Sequence, residues 1–355
     1  MTSYLLTFLL FILPLVVLPF GVSFFETPKV ILAELVIEAL LLIYLAREQL
    51  TLNLLKNTHA RLIGILLILS FIGLIVNPAG FFGNIFRLQG IFLFWHLLIF
   101  SIVSKNIKLP KITSKIALFS ILILFASIYF FGVNINNRAF GTIGEPNAFA
   151  GAVLFLLPFA LFQPSKLVRV LGLILTGFVI FKSGSSSGIL GLSLELVFII
   201  LIKIFKLSFL RSTIICLSLI LLSFSLPFLE NRGIFENRAE IWQTATFSGL
   251  QSPIFGHGFG NITESLKQSS IKLSAFNFVQ YQFVDSSHNL FLDFWVQGGI
   301  LGLGTLLTIL LLSIKNLILN KKTLELTVLI GLLTVMSFNP VSIAALVSFW
   351  WLVGY

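Results

Sequence analysis

Residues 285–304 read DSSHNLFLDFWVQGGILGLG: two serines, a histidine and an asparagine open a run that turns apolar and places four glycines in its last seven positions. A polar mouth on an apolar run that continues to residue 319 is the pattern of a helix entering a bilayer, because about 20 apolar residues cover about 30 Å of hydrocarbon. The adjacent Gly298 and Gly299 predict a kink in that helix, and Gly302 and Gly304 add room for close packing.

The pattern repeats along the chain. Of 355 residues 57% are hydrophobic and 10% charged, with mean hydropathy +1.06, and no water-soluble fold hides that much apolar surface. The runs are too long for the alternating segments of about 10 residues that build outer-membrane barrels. The expected fold is an all-α integral membrane protein, a polytopic bundle of about twelve helices. They fall at 4–24, 29–46, 61–77, 88–104, 113–132, 147–162, 167–182, 189–205, 211–227, 289–319 with its kink, 324–338 and 341–354. Residues 1–25 lack a basic n-region and a cleavage site and read as a retained first helix. The single cysteine, Cys216, lies in an apolar run, so neither a disulfide framework nor a thiolate metal cluster is expected.

Charge sets the orientation. The net +10 is spread over short loops rather than gathered in a stripe, which argues against nucleic acid as a partner. Even-numbered loops carry fifteen of the 23 Lys and Arg residues, among them Lys56, Lys105, Lys166, Lys203 and Lys322. Odd-numbered loops outside the long segment carry only Lys29, Arg87, Arg138 and Lys182. By the positive-inside rule the even loops and both termini are cytoplasmic. The chain is then one membrane domain, 1–355, with one long extracytoplasmic loop at 228–287. Arg87, Arg138, Glu145, Asn147, Lys182, Arg238 and His288 all fall on the outer face.

Three features there carry possible chemistry. In NRAEIWQTATFSGL (237–250) Arg238, Trp242 and Ala245 share a helical face, which predicts a short amphipathic helix at the membrane surface. Arg238 offers a planar fork to phosphate oxygens with Trp242 beneath it; the plainer alternative is a cation–π pair with an interfacial tryptophan. His288 follows three capping candidates, Asp285, Ser286 and Ser287, and is expected in the first turn of its helix, where the dipole keeps the imidazole neutral and available as a base. The alternative is a polar interface residue. The four outer arginines, Arg87, Arg138, Arg232 and Arg238, are matched by only four outer lysines, whereas lysine prevails on the cytoplasmic side; bidentate phosphate binding favours arginine. Only two aspartates are present, and no close carboxylate pair suits Mg²⁺ on a nucleotide diphosphate, so neither metal nor cofactor is expected. P-loop and His-Glu-x-x-His motifs do not occur. Glu34, Glu38 and Glu195 lie within predicted spans and keep a proton-coupled transporter or flippase open, against internal pairing with Arg, Lys or hydroxyls.

Four stretches taken together, RLQGIFLF (87–94), GTIGEPNAFAGAVLFLLP (141–158), NRAEIWQTA with PIFGHGFGN (237–261) and SHNLFLDFWVQGGILGLG (287–304), resemble the O-antigen ligase and polymerase superfamily of bacterial surface-glycan assembly. The resemblance covers roughly residues 80–310. It implies a GT-C-like, metal-independent, inverting glycosyltransferase of the inner membrane. Such an enzyme moves a glycan from an undecaprenyl diphosphate carrier to an acceptor hydroxyl on a glycan, lipid or protein. On this resemblance Arg238, His288 and Arg87 match the family's loop arginine, its histidine and its early arginine; His288 and Arg238 are the catalytic candidates, and Arg87, Arg138, Lys182, Glu145, Asn147, Trp242 and Asn289 are the candidates for binding the diphosphate or glycan. Two positions depart. Ser186 stands where the family has the arginine of a Ser-Arg-Gly-like turn, and Glu145 opens the Glu-Pro-Asn that replaces Asn-Pro-Asn. Lys182, on the same face as Ser186 if the turn is helical, is the candidate substitute. A repeat-unit polymerase of the same superfamily, a transporter, or a membrane scaffold within a polysaccharide complex stands as the alternative.

Overall fold

The computed structural model describes residues 1–47, 57–133, 136–229, 238–273 and 284–354. Lys56 and Arg232 of the charge pattern, and parts of the outer loop, lie outside the described residues. Among those described, every regular element is a helix: α1 Thr2–Thr7, α2 Thr27–Arg47, α3 Thr58–Val76, α4 Ile91–Val103, α5 Thr113–Phe131, α6 Pro146–Leu161, α7 Lys166–Ser183, α8 Ser186–Lys203 and α9 Phe209–Ser223. After these come α10 Leu226–Leu229, α11 Arg238–Gln251, α12 Ile262–Lys272, α13 Leu290–Leu319, α14 Thr323–Met336 and α15 Ile343–Val353.

Helix starts are set by short polar side chains that accept the first free N–H groups. Asn57, Glu145, Ser165, Ser185, Ser208, Asn289 and Ser342 cap α3, α6, α7, α8, α9, α13 and α15. Among the described residues five helices are long and apolar enough to cross a membrane: Thr58–Ile75, Thr113–Phe131, Ser186–Lys203, Phe209–Leu229 and Leu290–Leu319. The chain is thus an α-helical membrane protein. The expected spans at 147–162, 324–338 and 341–354 correspond to α6, α14 and α15, of 16, 14 and 11 residues. At about 1.5 Å per residue these are roughly 24, 21 and 17 Å long, short of the hydrocarbon thickness. Their sequences look like spans because they are apolar on all sides. They are apolar because they are enclosed: α6 is buried from Pro146 to Ala160 and α14 from Leu326 to Met336.

The kink in α13 falls at Gly299, with φ 57° and ψ −157°. It frees backbone groups at membrane depth, where no water can satisfy them. The turn at 253–261 supplies the partners. Ile300 N donates to Pro253 O at 2.8 Å, His257 N to Val296 O at 2.9 Å, and Gly258 N to Gln297 O at 3.0 Å. Gly298 and Gly302 face the Phe259 ring, so the room these glycines make is taken by the turn 253–261 rather than by a second helix. Gly304 faces open space. The intramembrane carboxylates are not paired as expected either. Glu38 meets His96 at 3.1 Å, and the fully buried Glu195 has no hydrogen-bond partner among the described residues.

A Cβ on residue 299 would lie 2.5 Å from the Ile254 carbonyl and 2.7 Å from Gly256 N. Gly299→Ala should therefore push the turn off the kink and lower the melting temperature of the purified protein by the equivalent of about 1–3 kcal/mol. Gly304→Ala, placed where nothing lies within 4 Å, should leave it unchanged.

Candidate functional site

Between α14 and α15 the chain reads SFNPVS (337–342), and this buried break organises the site. The last carbonyls of α14 have no helical partner and carry the negative end of its dipole. A guanidinium meets them: Arg238 Nε donates to Phe338 O at 2.8 Å and Nη2 to Asn339 Oδ1 at 3.3 Å. Arg238 is the first residue of α11 and is 5% exposed. Asn289 Nδ2 donates to Ser337 O at 3.0 Å, Gln89 Nε2 to Val341 O at 2.7 Å, and Asn339 Nδ2 to Ser187 Oγ at 2.6 Å. At the other side of the break the first N–H of α15, on Ile343, donates to Glu26 Oε2 at 3.2 Å. Helices α2, α8, α11 and α13 and the loop before α4 are thereby tied to one six-residue segment.

His288 sits beside this segment, one residue before the cap of its helix. The cap of α13 is Asn289, which accepts from Phe291 N and Leu292 N, so the expected place of His288 in the first turn is corrected. His288 adopts φ 57°, a left-handed conformation that a residue with a Cβ holds only under restraint. The restraint comes from both sides. Ser287 N and Oγ donate to Asp293 Oδ1 at 2.7 and 2.6 Å, and His288 N donates to Ser286 Oγ at 3.2 Å. The imidazole Nδ1 is shut off from solvent without a partner among the described residues. Burial, then the nearby charges of Arg238 and Arg87, hold the ring well below its ordinary pKa, so it is neutral at pH 7.

A second cluster forms at the start of α6. Glu145 accepts from Asn147 N, Asn147 Nδ2 and Ala148 N, which anchors the turn. Arg138 Nη2 donates to Asn147 Oδ1 at 2.6 Å and Nε to Ser183 O at 2.8 Å, laying the side chain across Gly184. The turn between Lys182 and Ser186 is not helical: Gly184 has φ 57° and Ser185 starts a new helix, α8. Lys182 and Ser186 therefore do not share a helix face. Lys182 is exposed, with its ammonium 5.6 Å from the Phe178 ring centre, and the guanidinium that crosses this turn is that of Arg138.

Two cavities flank the break. One, of about 670 Å³, is almost wholly apolar and lies between α9, α11 and α13; Phe224, Trp242, Phe247, Phe291 and Leu303 line it, with Asn289 at its wall. Trp242 packs against Phe224, Phe228 and Phe338 rather than lying on a membrane surface, and its Nε1 is buried without a partner among the described residues. α11 as a whole is docked against α12 and α13, so the expected surface helix is a helix packed on the bundle. The other cavity, of about 480 Å³, is polar, with Glu26, Arg87, Glu145, Asp285 and Ser342 in its wall. Arg87 Nε is paired with Asp285. Burial works against the Arg87 charge, but the carboxylates of Asp285, Glu26 and Glu145 outweigh it and raise its pKa. Burial pushes the Glu26 carboxyl up against the pull of Lys29 and Arg87.

Residues 171–308 match the family model for O-antigen ligase. The match supports the O-antigen ligase and polymerase superfamily. The match runs from within α7 to within α13 and so includes Lys182, Arg238, Trp242, His288 and Asn289, whereas Arg87, Arg138, Glu145 and Asn147 lie before it. A search of curated proteins gives no match. The match supports a membrane protein of the glycosyltransferase-like ligase and polymerase kind, a family whose partners in general are lipid-linked glycans and their acceptors. Sequence reasoning missed Glu26, Gln89 and Asn339. For Asn339 a signal exists: Asn-Pro inside a long apolar run marks a helix end.

The depressed pKa of His288 has a measurable consequence. Below the ordinary value of 6.5 an unfolded chain binds a proton that the folded chain refuses, so this stability is present above 6.5 and is lost as the pH falls toward the lowered folded value. His288→Gln should flatten the decline of melting temperature between about pH 6.5 and 5; an unchanged slope would show that the ring is not held neutral.

Proposed function

We propose that the protein is a lipid-linked glycan transferase that moves a glycan from undecaprenyl diphosphate to an acceptor hydroxyl on the extracytoplasmic face of the bacterial inner membrane. Twelve crossings with both termini cytoplasmic fit this reading, with α6, α14 and α15 as short, enclosed crossings. One observation carries it: Arg238 and His288, from separate segments, are held at one buried helix break beside an apolar cavity that suits an isoprenoid chain. Trp242 and Asn289 line that cavity, so a tail lying in it has its diphosphate near Arg238. Arg138, bonded to Asn147 and to the Ser183 carbonyl across the turn at Gly184, takes the part of the arginine that Ser186 replaces.

Inverting transfer then needs one displacement. The acceptor oxygen forms a bond to the anomeric carbon as the bond to the diphosphate oxygen breaks, and the hydroxyl proton passes to His288. Guanidinium groups held in place before reaction meet the charge that grows on the leaving diphosphate. Before the donor arrives, burial and the charges of Arg238 and Arg87 keep His288 neutral. A bound diphosphate offsets those charges, so the imidazole becomes a stronger base when there is a proton to accept.

A repeat-unit polymerase uses the same chemistry with a growing chain as acceptor. A proton-coupled transporter needs carboxylates in series, and Glu38 with its His96 partner lies on α2 and α4, whereas Glu195 lies on α8 against Gly331. In nanodiscs with a polyprenyl-diphosphate glycan and an acceptor, wild type should release free polyprenyl diphosphate. Arg238→Ala and His288→Ala should each lower release by about 10²- to 10⁴-fold while inserting normally. Arg138→Ala should weaken turnover and Lys182→Ala should not. Movement of the lipid-linked glycan with no bond cleavage would sink the transferase reading.

A further inference from the structure

Apart from Arg87, the polar cavity beside the break is built of groups that the diphosphate chemistry does not use. Its volume, about 480 Å³, lies within the usual range of small-molecule sites, about 300–1,000 Å³. Its hydrogen-bonding capacity is partly unspent. Arg87 gives Nε to Asp285, and its two Nη groups have no partner among the described residues. Asp285 Oδ1 and Glu26 Oε1 are likewise open, because Asp285 uses Oδ2 and Glu26 uses Oε2. The Ser342 oxygen accepts from Ala345 N, which leaves its O–H to give. The wall therefore offers donors and acceptors side by side. Phe24 and Phe86 stand exposed at the rim and Phe25 lies deeper, giving apolar faces opposite the polar groups.

A sugar matches this wall: each hydroxyl both donates and accepts, and one face of the ring is apolar. An anion does not match. Three carboxylates, of Glu26, Glu145 and Asp285, face the cavity against the single guanidinium of Arg87, which is already paired. The ammonium of Lys29 is turned away, donating to the carbonyls of Phe25 and Thr142. A uronate or phosphate there gains no unpaired cation and meets like charge.

We propose that this cavity seats the acceptor's sugar, and that it admits an uncharged, hydroxyl-rich unit while turning away uronic acids and phosphorylated sugars. The assignment of the sugar to the acceptor rests on the transferase reading above. It puts the acceptor on the Arg87 side of His288 and the donor diphosphate on the Arg238 side.

Val22 lies at the cavity rim and is 56% exposed, and the native Cys216 is buried, so Val22→Cys gives one accessible thiol in the full chain. In nanodiscs, its modification by a membrane-impermeant maleimide should be slowed by N,N′-diacetylchitobiose and not by digalacturonic acid. Adding Glu26→Gln and Asp285→Asn should let the digalacturonate protect, with an affinity gain of at least about tenfold, a gain that misfolding cannot produce. No protection by the neutral sugar, or equal protection by both in the presence of all three carboxylates, overturns the proposal. Release of polyprenyl diphosphate is followed in the same preparation. Turnover without sugar protection sinks this inference alone, whereas sugar protection without turnover sinks the transfer reading and leaves the sugar site standing.

Discussion

A helix that ends inside a membrane protein must have its last carbonyls and the first N–H groups of its successor satisfied by protein, because no water is there to do it. The break at 337–342 is the place where this chain meets that demand. Arg238 and the Asn289 side chain serve the carbonyl end of α14, Gln89 serves Val341, and Glu26 serves the amino end of α15. Each sign is placed where the dipoles want it, a cation at the C-terminus and a carboxylate at the N-terminus. The buried charges that a transferase needs are thus held by the same contacts that make the break tolerable.

The two irregular points of α13 extend this logic. Its mouth carries His288 in a left-handed conformation locked by Asp293 and Ser286, and its kink at Gly299 is filled by the glycine-rich turn 253–261. The outer loop is consequently a structural part of the bundle. α11, which brings Arg238, and the turn that satisfies the kink belong to one continuous stretch anchored twice on α13. That anchoring fixes the guanidinium relative to the imidazole.

Much of this is readable in the chain alone, and the failures have physical causes. Hydropathy marks the helices, and Gly298–Gly299 marks the kink, because both are local properties. The length of the enclosed helices is not local: α6, α14 and α15 are apolar because neighbours surround them, which hydropathy cannot tell from lipid contact. His288 was expected inside its helix because three capping residues precede it, yet Asn289 wins by accepting two N–H groups at once and Asp293 diverts Ser287. The same-face placement of Lys182 and Ser186 fails at Gly184, whose φ of 57° ends one helix before Ser185 begins the next. Glu26 and Gln89 were invisible because their partners are more than 250 residues away in sequence.

The anchors offered by the break are mostly main-chain carbonyls: those of Ser337, Phe338 and Val341 receive Asn289, Arg238 and Gln89. A carbonyl is carried by every amino acid, so side-chain replacement at these three positions leaves the acceptor in place so long as the chain keeps its path. Drift in the underlying sequence can therefore proceed while the guanidinium retains its seat, and a comparison based on residue identity would pass over the element that holds it.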